Sequence, residues 1–121
     1  MTENKNPKQY DLEERTLQFA KDVREFAKNY PKDAVSFDDI RQLIRASGSV
    51  GANYIEANES LSKKDFRMRI KICKKEAKEC TYWLKLLMNQ HKPTEDVCIK
   101  LEKETVELTY IFAAILRNSS E

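Results

Sequence analysis

Apolar residues fall three and four apart along four separate stretches of this chain, the spacing that lines one face of an α-helix. The first stretch is Leu12, Thr16, Phe19, Val23, Phe26 and Tyr30, and the second is Ile40, Leu43, Ser47, Val50, Tyr54 and Ala57. The third is the most regular: Phe66, Ile70, Cys73, Ala77, Cys80, Leu84 and Leu87. The fourth runs Val97, Leu101, Glu104, Leu108, Ile111 and Ile115. No stretch alternates apolar with polar residues as a half-buried strand does. Helices are therefore predicted over about 12–30, 37–58, 63–90 and 95–117. Asp11, with Glu14 three residues on, reads as the first N-cap, and Pro31 stops that helix; Ser36, Ser62 (with Asp65 three residues on) and Thr94 read as the other caps. The joints near 31–36, 58–62 and 90–94 are short, so successive helices should run antiparallel. The pattern predicts an all-α, up-and-down antiparallel four-helix bundle in one domain over 1–121, frayed at 1–8 and 118–121.

The chain's two glycines, Gly48 and Gly51, sit inside the second predicted helix rather than in a turn. Each weakens a helix by roughly 1 kcal/mol relative to alanine. That cost makes sense where another backbone comes close, so both are read as points of close helix packing. Beside them Arg45, Ser49, Asn53 and Glu56 form a polar stripe on the edge of the apolar face. Partly buried polar groups need hydrogen-bond partners. Glu76 and Glu79 on the third helix are candidates for Arg45. Either this network fixes helix register or a subunit contact, or it forms a small-ligand or catalytic site.

Composition narrows the chemistry. Lys and Arg total 22 against 20 Asp and Glu, a net charge of +2 that does not by itself indicate a nucleic-acid binder. No apolar run approaches the roughly 20 residues of a membrane span, and residues 1–9 carry no hydrophobic signal core, so a cytoplasmic protein without membrane contact is expected. Cys73, Cys80 and Cys98 lack metal-type spacing and read as buried free thiols. The lone histidine, His91, ends the third periodic stretch, where a capping or partly exposed role suits it. Glu76 and Glu79 could supply one helix of a di-metal site, but no Glu-x-x-His pair occurs. The run Ser47-Gly48-Ser49-Val50-Gly51 follows no strand and precedes no Lys-Ser/Thr pair, so it is not a phosphate loop. The expectation is a non-enzymatic protein with no catalytic residue, metal, cofactor or small-molecule substrate.

Charge is distributed less evenly than its sum suggests. Between Lys63 and Lys78 the third helix carries eight basic residues, Lys63, Lys64, Arg67, Arg69, Lys71, Lys74, Lys75 and Lys78, against only Asp65 and Glu76. Lys64, Arg67, Lys71, Lys74 and Lys78 repeat three and four apart as a stripe, and Lys85 extends it to about 30 Å. Like charges at i, i+4 repel, at a few tenths of a kcal/mol per pair. Either acids on the fourth helix (Glu95, Asp96, Glu102, Glu104, Glu107) or on the first offset this, within the subunit or across an interface, or an anionic partner such as RNA or DNA does. No aromatic platform is evident beside the stripe, so base stacking is not expected.

The order and spacing of several short motifs carry a family resemblance. They are Gln42-Leu43 and Arg45 leading into Ser47-x-Ser49-Val50-x-x-Asn53-Tyr54-x-Glu56, then Ser62-x-x-Asp65-Phe66, Lys75-Glu76-Ala77-x-Glu79 and Tyr82-Trp83-Leu84. From about Leu12 to Ile115 the chain resembles the 23S rRNA-intervening-sequence proteins; Ala57 departs by standing where many members carry glycine. The resemblance implies a bundle assembling into a ring-shaped homopentamer. It also implies a bacterial protein, sometimes encoded within an insertion in the large ribosomal RNA gene, whose biochemical role is not established. A related group, the accessory variability proteins of diversity-generating retroelements, forms similar pentamers that bind nucleic acid and a reverse transcriptase through basic surface. Two readings follow. One is an oligomeric interaction module presenting the basic third helix to nucleic acid or a nucleic-acid-processing protein. The other is a purely structural or scaffolding oligomer whose stripe is internally neutralised.

Overall fold

The computed structural model describes residues 7–119, with side chains from Leu12 onward. Four helices account for nearly all of it: α1 (Pro7–Lys28), α2 (Ser36–Asn58), α3 (Lys63–Leu87) and α4 (Glu95–Asn118). A 3-10 turn, Lys92–Thr94, precedes α4, and no strand occurs among the described residues. Cross-helix contacts fix the directions. Asn58 at the end of α2 donates to Glu13 at the start of α1, and Arg67 at the start of α3 donates to the Leu116 carbonyl at the end of α4. The Tyr30 hydroxyl, just past α1, donates 3.0 Å to the Leu87 carbonyl that ends α3. Neighbours in sequence are thus antiparallel, and α4 closes back on α1 to complete a four-helix bundle.

In the first three helices the core follows the periodic residues, with Phe66 only half-buried. The fourth turns on a different phase. Cys98, Leu101, Thr105, Leu108 and Phe112 face the core, while Val97 is 44% exposed and Glu104 is half-buried. Val97, Leu101, Glu104 and Cys98, Leu101, Thr105 both fit a three-four spacing, and only packing separates them. The deciding contact is polar: Thr81 donates 2.7 Å to Thr105, which donates to the Glu102 carbonyl, so both hydroxyls are satisfied inside the seam.

The helix ends also differ from expectation in places. Helix α1 starts at Pro7, where a missing N–H costs nothing, so Asp11 lies within the helix and cannot cap it; its side chain is outside the described residues. Residues 1–6 and 120–121, part of the segments read as frayed, are likewise outside them. Ser36 does not cap α2. Asp33 does, its carboxylate accepting from the backbone N–H of Val35 and Ser36, and those hydrogen bonds hold its carboxyl below the usual range. The Ser36 hydroxyl returns the contact by accepting from Asp33 N–H. Ser62 caps α3, accepting from Asp65 N–H at 3.1 Å. Helix α3 ends at Leu87 because Met88 is extended and Asn89 adopts φ 65°, a left-handed conformation that asparagine tolerates. Thr94 makes no cap; it binds back to the His91 carbonyl and sits 3.1 Å from His91 Nδ1.

The two glycines meet different neighbours on α1. A Cβ at Gly51 would lie 3.0 Å from the Thr16 hydroxyl and 3.3 Å from its Cβ, with Thr16 buried and bonded to the Leu12 carbonyl. At Gly48 the nearest atom is the flexible end of Arg24, at 3.4 Å. Gly51 marks the close helix approach; Gly48 does not.

Candidate nucleic-acid interface

Helix α3 divides its flanks by chemistry. The flank towards α2 carries Arg69, Ile72, Glu76, Glu79 and Trp83, and the outer side carries the lysines. Lys64, Lys71, Lys78 and Lys85 are exposed and Lys74 is half-buried. Arg67 behaves differently from the rest of the stripe. Its guanidinium donates 2.6 Å to the Leu116 carbonyl and 3.0 Å to the Ser119 hydroxyl, satisfying the end of α4, where a cation also complements the helix dipole. Among the described residues, no ion pair reaches Lys64, Lys71, Lys74, Lys75, Lys78 or Lys85.

Three of the α4 acids that could have neutralised the stripe, Glu95, Glu104 and Glu107, are engaged elsewhere. Arg15 on α1 grips Glu104 with two hydrogen bonds, 2.7 and 2.9 Å, and also donates to Glu107. The Glu104 bond is the main reason the Arg15 guanidinium is held more firmly protonated than usual. Glu95 accepts from the Asn89 N–H across the α3–α4 joint. These acids therefore face α1 and the loop, away from the lysines.

An open depression lies on the lysine side, lined by Lys71, Lys74, Lys75, Lys78, Glu79, Tyr82 and Trp83. Tyr82 is 58% exposed, and its ring meets that of Trp83 edge-on at 5.1 Å and 73°. An aromatic platform does stand beside the stripe, contrary to the expectation from sequence. Tyr82 follows Lys75 and Lys78 by seven and four residues, which places it on their side of the helix.

Across the α2–α3 seam the polar stripe is only partly closed. Arg45 donates 2.8 Å to Glu79 and stands 3.4 Å from Glu76, whose Oε1 is buried without a hydrogen bond. Asn53 accepts 3.0 Å from Arg69 and donates to the carbonyl of half-buried Ser49. Glu56 stays exposed, beside Arg69, Asp65 and Ser60 in a second open depression. The Trp83 indole N–H is also buried without a partner. The three thiols are buried and unpaired, and burial pushes Cys98 up to about 11 and Cys73 up to about 12, with Cys80 higher still. None is poised as a nucleophile. Among the described residues no three His, Cys, Asp or Glu side chains converge as metal ligands, and no helix is long and apolar enough to cross a membrane.

The sequence profile of the 23S rRNA-intervening sequence proteins matches residues 8–114, which include all of this surface. The chain belongs to that family. A solved structure from Bacteroides thetaiotaomicron, described as a protein of unknown function from the S23 ribosomal protein family, is similar at 29% identity and a TM-score of 0.75. The similarity covers 86% of this chain and 96% of that one. No curated protein matches. As a 23S rRNA-intervening sequence protein, the chain keeps its motif residues Arg45, Glu76 and Glu79 in one cluster and Tyr82 and Trp83 in one ring pair.

Three residues of this surface escape a reading by heptads alone. The spacing of Tyr82 to Lys78 gives its side of the helix, but its exposure appears only in the packed bundle. Arg69 sits seven residues before Glu76 on the α2 flank, and that register announces a partner for the α2 stripe. Arg15 is visible only once α4 takes its true phase.

Proposed function

We propose that this protein is a non-enzymatic, oligomeric module that binds nucleic acid through the lysine face of α3. The observation that carries the reading is the isolation of the lysines. Five like-charged side chains repeat along one helix without an acidic partner among the described residues, while Glu104 and Glu107 of α4 are engaged by α1 and Glu95 by the α3–α4 joint. Phosphates supply the missing countercharge. The assembly is a ring-shaped homo-oligomer, a pentamer by family resemblance. Its physical motive is the flank of α3 on which Met68 and Leu86 are 55% and 43% exposed. A ring repeats the stripe in every subunit, so a modest charge per chain gains avidity on a long anion. Affinity for RNA or DNA should fall steeply with salt, by about 0.9 log units per neutralised phosphate per log unit of salt on duplex DNA. Filter binding at two salt concentrations tests this, alongside gel filtration with light scattering for the assembly. Salt-independent binding, or none at low salt, defeats the binding role; a monomer at micromolar concentration defeats the ring.

A further inference from the structure

We propose that the lysine face of α3 is a single-strand site, in which Tyr82 stacks a nucleobase while Lys71, Lys74, Lys75 and Lys78 hold the neighbouring phosphates. The inference rests on the nucleic-acid reading above and goes further by choosing the form of the ligand. Lysines alone bind any polyanion. A ring with more than half its surface in solvent, set among four lysines in one depression, offers a second kind of contact.

The geometry favours stacking. Trp83 packs against the hydrophobic core and meets Tyr82 edge-on at 5.1 Å, so Tyr82 is braced rather than loose on the surface. An edge-on contact leaves the other side of the Tyr82 ring open to solvent. From Lys71 to Tyr82 the helix rises about 16 Å, enough for several nucleotides of a single strand. A duplex keeps its bases stacked on one another and presents phosphates to the lysines, with no base face free for Tyr82. Glu79 is the one acid in the depression's lining, and Arg45 holds it at 2.8 Å, so the arginine removes the charge that would oppose a phosphate there. Stacking serves every base, so sequence preference should be slight.

Trp83 is the chain's sole tryptophan and reports on the site directly. The probe is an oligothymidylate of about twelve nucleotides, within the usual span of single-strand sites, compared with its duplex on oligoadenylate. The single strand should quench Trp83 emission saturably and bind more tightly than the duplex. Tyr82→Ala should weaken single-strand binding about five-fold or more, the usual range for losing one stacked base, and leave duplex binding unchanged. Tyr82→Phe keeps the ring face and should bind like the wild type, which separates stacking from any change in fold. Lys75→Gln with Lys78→Gln should weaken both forms. Duplex and single strand binding alike, with Tyr82→Ala silent, overturns the single-strand site while leaving the lysine reading intact. Failure of both probes to bind at low salt overturns both.

Discussion

Two arginines in this bundle each reach across a seam to a Glu-x-x-Glu pair on the next helix, and they end differently. Arg15 closes on Glu104 with both ends of its fork and takes Glu107 as well, so both carboxylates of that pair are answered. Arg45 hydrogen-bonds Glu79 but reaches Glu76 only as a 3.4 Å ion pair, leaving that buried carboxylate oxygen without a hydrogen bond. The seams differ in packing too. Helices α2 and α3 meet along their length, whereas α1 and α4 touch thinly over open grooves lined by Asp22, Glu25, Lys100 and Leu101. A thin seam needs its ion pairs for cohesion; a thick one holds by burial and leaves its charges for other contacts. Glu104 and Glu107 of α4 thus serve α1, and among the described residues no ion pair joins them to the α3 lysines.

Removing the two arginines should therefore have unequal costs. Arg15→Ala deletes a bidentate, partly buried contact and should lower stability by about 2 kcal/mol, read as a drop in melting temperature. Arg45→Ala, at an exposed guanidinium with one good hydrogen bond, should cost under about 1 kcal/mol. Equal losses would erase the distinction between the seams. Glu76→Met sharpens it: replacing a buried carboxylate that lacks a hydrogen bond should leave stability unchanged or raise it by about 1 kcal/mol. A clear loss of stability or assembly in Glu76→Met would mean that something donates to that oxygen in the working protein.

The glycines give a second, smaller contrast along α1. Gly51→Ala forces a Cβ to 3.0 Å from a Thr16 hydroxyl already bonded to its own helix, so it should cost about 1 kcal/mol or more despite better helix propensity. Gly48→Ala meets only the mobile tip of Arg24 and should gain up to about 1 kcal/mol. Paired thermal melts decide, and shifts of the same sign would contradict the packing.

Which features the sequence announces depends on the force that sets each of them. Helix number, antiparallel order and most of the core follow from hydrophobic spacing, because burial is the strongest force in folding and its period is readable. The phase of α4 was not, since Thr105 holds its buried place by a hydrogen bond to Thr81 rather than by hydrophobicity. The α2 cap moved from Ser36 to Asp33 because the chain closes one turn earlier, with Phe37 N–H bonding the Asp33 carbonyl. Arg67 looked like one more stripe cation, and only the proximity of the α4 end turns it into a cap. The Arg45 cluster was legible because Glu76 and Glu79 share a flank; Tyr82 as a platform was not, because exposure is a property of the packed helix.

The smallest effect is on the alkaline side. Burial raises the Cys98, Cys73 and Cys80 thiols, so the unfolded chain releases those protons first. Their contribution is complete below about pH 9 and is lost as pH climbs towards the folded values near 11 and 12. Melting temperature should fall between pH 9 and 11 in the wild type and less steeply in Cys98→Ala; equal slopes would exclude the thiol.

The most direct test sets one face of the bundle against the other. Lys71→Glu, Lys74→Glu and Lys78→Glu together reverse the α3 face, while Lys21→Glu, Lys100→Glu and Lys103→Glu make the same change in net charge on the α1–α4 side. Binding of a labelled single strand at low salt, measured with a thermal melt of each variant, should be abolished by the α3 set and merely weakened by the other, with both proteins still folded and assembled. Equal loss from both sets would reduce the interaction to net charge, and a destabilised α3 set without wild-type binding would show that the lysines are neutralised within the assembly.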